Sequence, residues 1–198
     1  IFATSNAHKL KEIKSIVPEG FEIISLKDIG FEGELPETHA TIEENSLEKA
    51  EFLSKKFNTP CFAEDTGLII DALDGEPGVY SARYAGEHAT FDDNISKVLS
   101  NMAGKQNRAA RFKTVITYYS GGKYVQFTGV TEGKILLERY GSQGFGYDPI
   151  FKPEGSTKSY AEMTLEEKNS FSHRKKSFDL FANHLQQISV WLSKVGKK

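Results

Sequence analysis

The side chains best suited to chemistry gather in five places along the chain. Thr4-Ser5-Asn6-Ala7-His8-Lys9 lies between a short apolar stretch and an amphipathic one, where a helix begins. Amides in a helix's first turn lack internal partners and attract anions, and Lys9 adds a full positive charge. Plain capping by Ser5 or Asn6 accounts for the same residues. The two glycines and Lys-Ser/Thr pair of a Walker A loop are absent. Glu64-Asp65-Thr66-Gly67 follows the apolar run at 60–63. Carboxylates at a strand's carboxyl end stand where open α/β sheets bind ligands. Magnesium is commonly held by one or two carboxylates plus substrate phosphates. Neighbouring side chains of a strand point to opposite faces, so Glu64 and Asp65 share an ion only if the chain turns there. A polar turn at Asp65-Thr66-Gly67 is the plainer alternative.

The third place is an acidic loop over residues 27–40, with Glu32, Glu34 and Glu37, ahead of a helix bearing Glu43, Glu44 and Lys49. Any of these acids can complete a metal site; a solvated acidic loop explains them too. The fourth is Gly144-Phe145-Gly146-Tyr147-Asp148-Pro149. Glycines around Phe145 permit close backbone approach, and an exposed ring stacks on a purine as readily as it packs into an aromatic turn. The fifth is Glu167-Lys168 with Ser172-His173-Arg174-Lys175-Lys176 opening the last helix. Basic residues belong electrostatically at the other end of a helix, an anomaly that an anion bound there resolves. A solvated basic face is the alternative. Jointly the five supply a phosphate cradle, a metal site, a platform for a base and a second set of cations, which points to a nucleotide.

These places must be positioned by regular elements. Ile1-Phe2-Ala3 reads as a buried strand. Leu10, Ile13, Ile16 and Val17 follow at helical spacing, stopped by Pro18 and Gly20. The segment 21–26 reads as a second strand. Thr41 to Glu44 has the capping-box pattern and opens a helix to about Phe57. The run 60–63 reads as a strand ending at the Glu64–Gly67 cluster, and the segment 68–73 is another apolar run. Thr90-Phe91-Asp92-Asp93 caps a helix whose face carries Ile95, Val98, Leu99 and Met102. From Ala110 to Thr131 the pattern is β, with Gly121-Gly122 suited to a hairpin turn. The last helix carries the stripe Phe178, Phe181, Leu185, Ile188 and Leu192. Strands and helices alternating around one hairpin predict an α/β fold with a mixed sheet.

At 198 residues the chain suits one domain with a real core. Its 25 Lys+Arg against 27 Asp+Glu, net −2, lack the basic surplus that grips long nucleic acid, yet tolerate a small anion. The single cysteine, Cys61, excludes an internal disulfide and a thiolate zinc site. No apolar run is long enough for a bilayer and no signal peptide opens the chain, so no membrane partner and a cytoplasmic location are expected. A chain that starts directly in a strand at Ile1 is expected to lack a few native residues in front.

Five motifs occur in order: Thr4-Ser5-Asn6-x-x-Lys9, Glu64-Asp65-Thr66-Gly67-Leu68, Gly75-x-Pro77-Gly78-x-Tyr80-Ser81-Ala82-Arg83-Tyr84, Gly144-Phe145-Gly146-Tyr147-Asp148-Pro149 and Ser172-His173-Arg174. Together they resemble the inosine triphosphate pyrophosphatase family, which acts on non-standard purine nucleotides, over essentially the whole chain. The resemblance implies a single domain over 1–198, a long mixed central sheet flanked by helices, forming two lobes with an active-site cleft between them. It also implies a homodimer and a magnesium-dependent attack of water on the α-phosphate of ITP, dITP or XTP, releasing the monophosphate and pyrophosphate. By motif, Thr4, Ser5, Asn6, Ala7, His8 and Lys9 bind the phosphates with help from Lys49. Asp65 is the catalytic carboxylate, ligating magnesium with Glu37, and Thr66 contacts substrate. Phe145 stacks on the base; Gly146, Tyr147 and Asp148 line its pocket; Lys168, His173 and Arg174 close over it. Ser5, Thr66 and Glu64 depart from a frequent glycine, serine and aspartate, keeping hydroxyl and charge at the last two. Rival readings are a sister pyrophosphatase for modified pyrimidines, a nucleotide-binding regulator without turnover, and an RNA-binding module, which the neutral charge disfavours.

Overall fold

The computed structural model describes the backbone of residues 1–17 and 19–195, with side chains to Ile188. Pro18 and the Leu192 side chain, both used in the sequence reading, lie outside the described residues. A long antiparallel hairpin forms the frame. β4 (Ala109–Ser120) and β5 (Lys123–Ile135) pair residue for residue from Ala109↔Lys134 to Ser120↔Lys123. Gly121 and Gly122 adopt φ +58 and +78, the left-handed pair that a two-residue hairpin turn demands.

β2 (Cys61–Ile70) lies along β4 over its whole length, from Cys61↔Tyr119 to Ile70↔Ala110. Glu64-Asp65-Thr66-Gly67 is therefore strand throughout; the turn considered from sequence does not form, because β4 supplies a partner at every step. The apolar run after it divides into the end of β2 and a 3-10 turn at Asp71–Leu73. The other edge of β2 is covered only in part. β1 (Phe2–Ala3) pairs in parallel with Phe62 and Ala63, and β3 (Pro77–Gly78) pairs antiparallel with Leu68 and Ile69. Among the described residues no strand pairs with Glu64–Gly67 on that side. β6 (Phe151–Pro153) completes the six-stranded mixed sheet beside β5.

Helices pack on both faces. α1 (Ala7–Lys14) and α5 (His173–Val195) cover one face at the β1 end, where Phe2, Ile13, Phe62, Ile116, Phe178 and Phe181 form a core. α2 (Ile42–Phe57) covers the opposite face, enclosing Ala3, Ala50, Leu53, Cys61 and Ala63. α3 (Phe91–Asn101) packs at the far end of the sheet, where Leu68, Ile70, Ile95, Val98, Phe112 and Phe151 form a separate core. The short α4 (Leu165–Asn169) precedes α5. The capping signals act as the sequence suggests: the Thr41 hydroxyl accepts from Glu44 N–H, and Thr90 with Asp93 forms a full capping box.

Two expectations fail. The segment 21–26 is no strand; β1 is two residues long and offers it a single ladder bond, Phe2 N–H to the Ile24 carbonyl at 2.9 Å. α1 stops at Lys14, leaving Ile16 and Val17 to pack against the core from a turn.

Candidate active site

The uncovered stretch of β2 opens into a cavity of ≈ 400 Å³, a common size for a small-molecule site. Because neither β1 nor β3 crosses it, both faces of β2 contribute. Asp65 turns toward α2, and Glu64 toward α1 and α5, as the strand's two-residue period requires. Every residue expected at the site lines the cavity except Ala7 and His8.

On the α2 face, Lys49 Nζ donates to Asp65 Oδ1 at 2.9 Å and to Glu37 Oε1 at 2.6 Å. Glu37 comes from the acidic loop, and Arg83 flanks it at 3.5 Å. Burial pushes the Asp65 carboxyl above its ordinary range, against the pull of Lys49 and Lys9. Burial works the same way on Glu37, but Lys49, with Lys9 and Arg83 behind it, holds that carboxyl below its usual value. Burial alone would lower the Lys49 ammonium; Asp65 and Glu37 raise it instead. Two carboxylates that touch one ammonium stand close enough to serve one cation. Among the described residues no three metal-ligating side chains gather in one place. Two carboxylates with vacant positions for phosphate oxygens and water are, however, the donor set magnesium takes, so Asp65 and Glu37 fit it.

On the other face lies a buried ion network. Arg174 Nε and Nη2 donate to Glu64 at 2.7 and 3.2 Å, and Nη1 donates to Glu12. Lys9 pairs with Glu64 at 2.9 Å. Lys168 donates to Glu12 at 2.8 Å and to Asp148 at 2.6 Å, and Asp148 also accepts the Phe145 N–H. Against burial, Arg174 and Lys9 hold the Glu64 carboxyl far below its usual range; Arg174 and Lys168 do the same more mildly for Glu12. Burial instead raises Asp148, only partly opposed by Lys168. α5 starts close to the sheet because β5 carries Gly129. A Cβ there would lie 2.0 Å from the His173 carbonyl oxygen.

This network corrects one inference from the sequence. Neither a bound anion nor a solvated basic face accounts for Arg174 at the start of α5: its anions are Glu12 and Glu64 of the chain itself. Glu12 escaped the sequence reading, although Lys9, Glu12, Ile13 and Ile16 fall at the spacing of one helix face and a charge among apolar positions is its signal.

Aromatic side chains gather at the cavity as well. Phe145 lines the cavity, and the His8 ring stacks on it at 4.9 Å between ring centres, 17° from parallel. His173 stacks on Phe112 at 4.7 Å. Its burial, with Arg174 and Lys168 nearby, holds it well below its ordinary value and therefore neutral, and its Nδ1 has no hydrogen-bond partner among the described residues. Tyr147 donates to the Ser81 carbonyl at 2.7 Å, and Thr66 Oγ1 lies 2.6 Å from Thr114 Oγ1. At the cradle, Asn6 caps α1 by accepting from His8 and Lys9 N–H. The capping reading holds there, and it does not compete with the cavity, since Thr4, Ser5, Asn6 and Lys9 also line it.

A pH dependence follows from the lowered glutamates. Their folded values lie below the unfolded value of 4.5, so the stability they contribute is present above about pH 4.5 and is lost as pH falls through the folded values. Asp65 and Asp148, raised by burial, act in the opposite sense and offset part of the loss. Urea midpoints are expected to hold steady near neutrality and to drop below about pH 4.5; a midpoint that rises on acidification would mean these glutamates are not ionised pairs.

Comparison with known proteins gives a consistent picture. The profile of the Ham1 family matches residues 1–184. A dITP/XTP pyrophosphatase of Flavobacterium johnsoniae is 50% identical over 177 residues, covering 89% of this chain and 92% of that protein. One from Porphyromonas gingivalis is 51% identical over 176 residues, covering 88% and 90%. The solved structure of the Staphylococcus aureus Ham1 protein superimposes with a TM-score of 0.85 at 36% identity, covering 94% of this chain and 97% of that one.

Proposed function

The chain belongs to the Ham1 family, and from that premise we propose that it is a magnesium-dependent pyrophosphatase for ITP, dITP and XTP. The observation that carries the proposal is the pairing of Asp65 and Glu37 on Lys49 in a cavity that the Phe145 ring also lines. A nucleoside triphosphate needs this arrangement: charge neutralisation at one end, stacking at the other. The profile match, the names of the relatives and the five ordered motifs support it.

In the reaction, a water oxygen forms a bond to the α-phosphorus while the bond to the bridging oxygen breaks, and pyrophosphate leaves. Asp65 accepts the water's proton; a carboxyl raised by burial is a better base than an ordinary aspartate. Asp65 and Glu37 would hold magnesium, which when bound lowers the pKa of water and neutralises phosphoryl charge. Lys9 and Lys49 meet the phosphates, and the Ser5 N–H offers a backbone donor at the start of α1, while the Thr4 and Asn6 N–H groups bond within the chain. Such chemistry depends on position and charge more than on an elaborate nucleophile.

Lys168, His173 and Arg174 line the cavity with Phe145 and are its candidate donors to a base. A donor aimed at a 6-oxo group satisfies hypoxanthine and xanthine but meets another donor in adenine, leaving buried groups unpaired at about 1–3 kcal/mol. The reading includes a two-lobed domain built on the separate cores at the two ends of the sheet, a homodimer, and a cytoplasmic location. The near-neutral charge supports a free nucleotide as ligand over a nucleic acid. Among the described residues no helix is long and apolar enough to cross a membrane.

Product analysis with ITP, XTP, ATP and GTP, with magnesium and with chelator, tests the proposal. The expected result is magnesium-dependent pyrophosphate from ITP and XTP, with ATP slower by roughly tenfold or more. Orthophosphate from all four would indicate a general phosphatase. Binding without product would indicate a regulator.

A further inference from the structure

Phe91 has no role in the mechanism above. It is the first residue of α3, 45% exposed although large and apolar, and its neighbours Thr90 and Asp93 cap the helix without it. Its ring nevertheless lines the active-site cavity. It stands beside the stacked pair, 6.0 Å from the His8 ring centre at 66° and 6.1 Å from the Phe145 ring centre at 50°. His8 comes from α1, Phe145 from the glycine-rich loop and Phe91 from α3, so three separate elements bring their rings to one spot.

We propose that Phe91 is a further substrate-contacting residue, an aromatic wall that meets the edge of the base stacked on Phe145. This rests on the nucleotide reading of the cavity. The ring positions supply the physical reason. A planar base that takes the place of His8 against the Phe145 face comes alongside Phe91, whose tilt of 50° to Phe145 favours the inclined, edge-directed contact that aromatic pairs prefer. An exposed phenylalanine at a helix start contributes little to folding, whereas covering it with a base removes its apolar surface from water. The contact is indifferent to hydrogen-bonding pattern, so Phe91 strengthens binding of all purines alike and leaves discrimination to the polar groups.

The test is Phe91→Ala and Phe91→Trp against wild type, with ITP as substrate and inorganic tripolyphosphate as a ligand that has no base. In Phe91→Ala, KM for ITP is expected to rise about fivefold at unchanged kcat, with inhibition by tripolyphosphate unchanged and Phe91→Trp near wild type. An unchanged KM, or an equal loss of tripolyphosphate affinity, overturns the proposal. Calorimetric binding of ITP with calcium in place of magnesium separates the two claims. Wild-type protein that binds ITP but releases no pyrophosphate refutes the enzymatic reading alone, and the affinity difference of Phe91→Ala still decides the contact. Wild-type protein that neither binds nor hydrolyses ITP removes both.

Discussion

Asp65→Asn is expected to lower kcat for ITP by about a thousandfold while the protein remains folded. The substitution removes the one carboxylate that is both raised by burial and placed on the Lys49 ammonium. Asparagine keeps the shape and an oxygen to accept from Lys49, and Lys49 keeps Glu37 as a partner. The fold loses a charge that was already disfavoured by burial, so the thermal midpoint should move little. Steady-state kinetics beside a melting curve checks both halves. A kcat within a few-fold of wild type would take Asp65 out of the mechanism, and a large fall in melting temperature would turn the same loss of activity into a folding effect.

Glu64→Gln makes the opposite prediction, loss of stability. Glu64 and Arg174 are 1% and 2% exposed, and the guanidinium holds the carboxylate through two nitrogens, with Lys9 as a third cation. Removing Glu64 leaves Lys9 without its paired carboxylate and the Arg174 guanidinium with Glu12 alone, so part of a buried charge is stranded, at up to about 3–5 kcal/mol. The expected outcome is an unfolding free energy, from urea titration, lowered by about that amount. The double variant Glu64→Gln, Arg174→Met should recover much of it, because the stranded charge is gone. If Glu64→Gln falls by less than about 1 kcal/mol, or the double variant is no better, the ionised pair is not what stabilises this part of the core.

The elements whose signals are local were legible in the sequence. Thr90 with Asp93, Thr41 with Glu44 and the Gly121-Gly122 turn each act within four residues of themselves, and each forms as expected. The short segment 21–26 misled because its alternation has no ladder to join: β1 ends after two residues. The site was legible as a set of residues and illegible as a network. Asp65, Lys49 and Glu37 are recognisable by type and motif. The partners of Arg174, however, lie 110 and 162 residues away in Glu64 and Glu12, and nothing near Arg174 announces them. Its place at the start of a helix was a real electrostatic anomaly; the remedy was distant in sequence and adjacent in space.

The network sets the terms on which ligands enter. Lys9, Lys49, Lys168 and Arg174 are the cavity's cations, and each already holds a carboxylate of the chain. An incoming anion therefore competes with Glu37, Asp65 or Asp148 for its ammonium, and a carboxylate it displaces needs a new counter-charge. Orthophosphate brings none and gains little by the exchange. On the proposed reading, a triphosphate that arrives with a divalent ion brings one, which Asp65 and Glu37 would hold while Lys49 meets the phosphates. Selectivity against the cell's abundant simple anions is thus built into the resting state, ahead of any contact with the base.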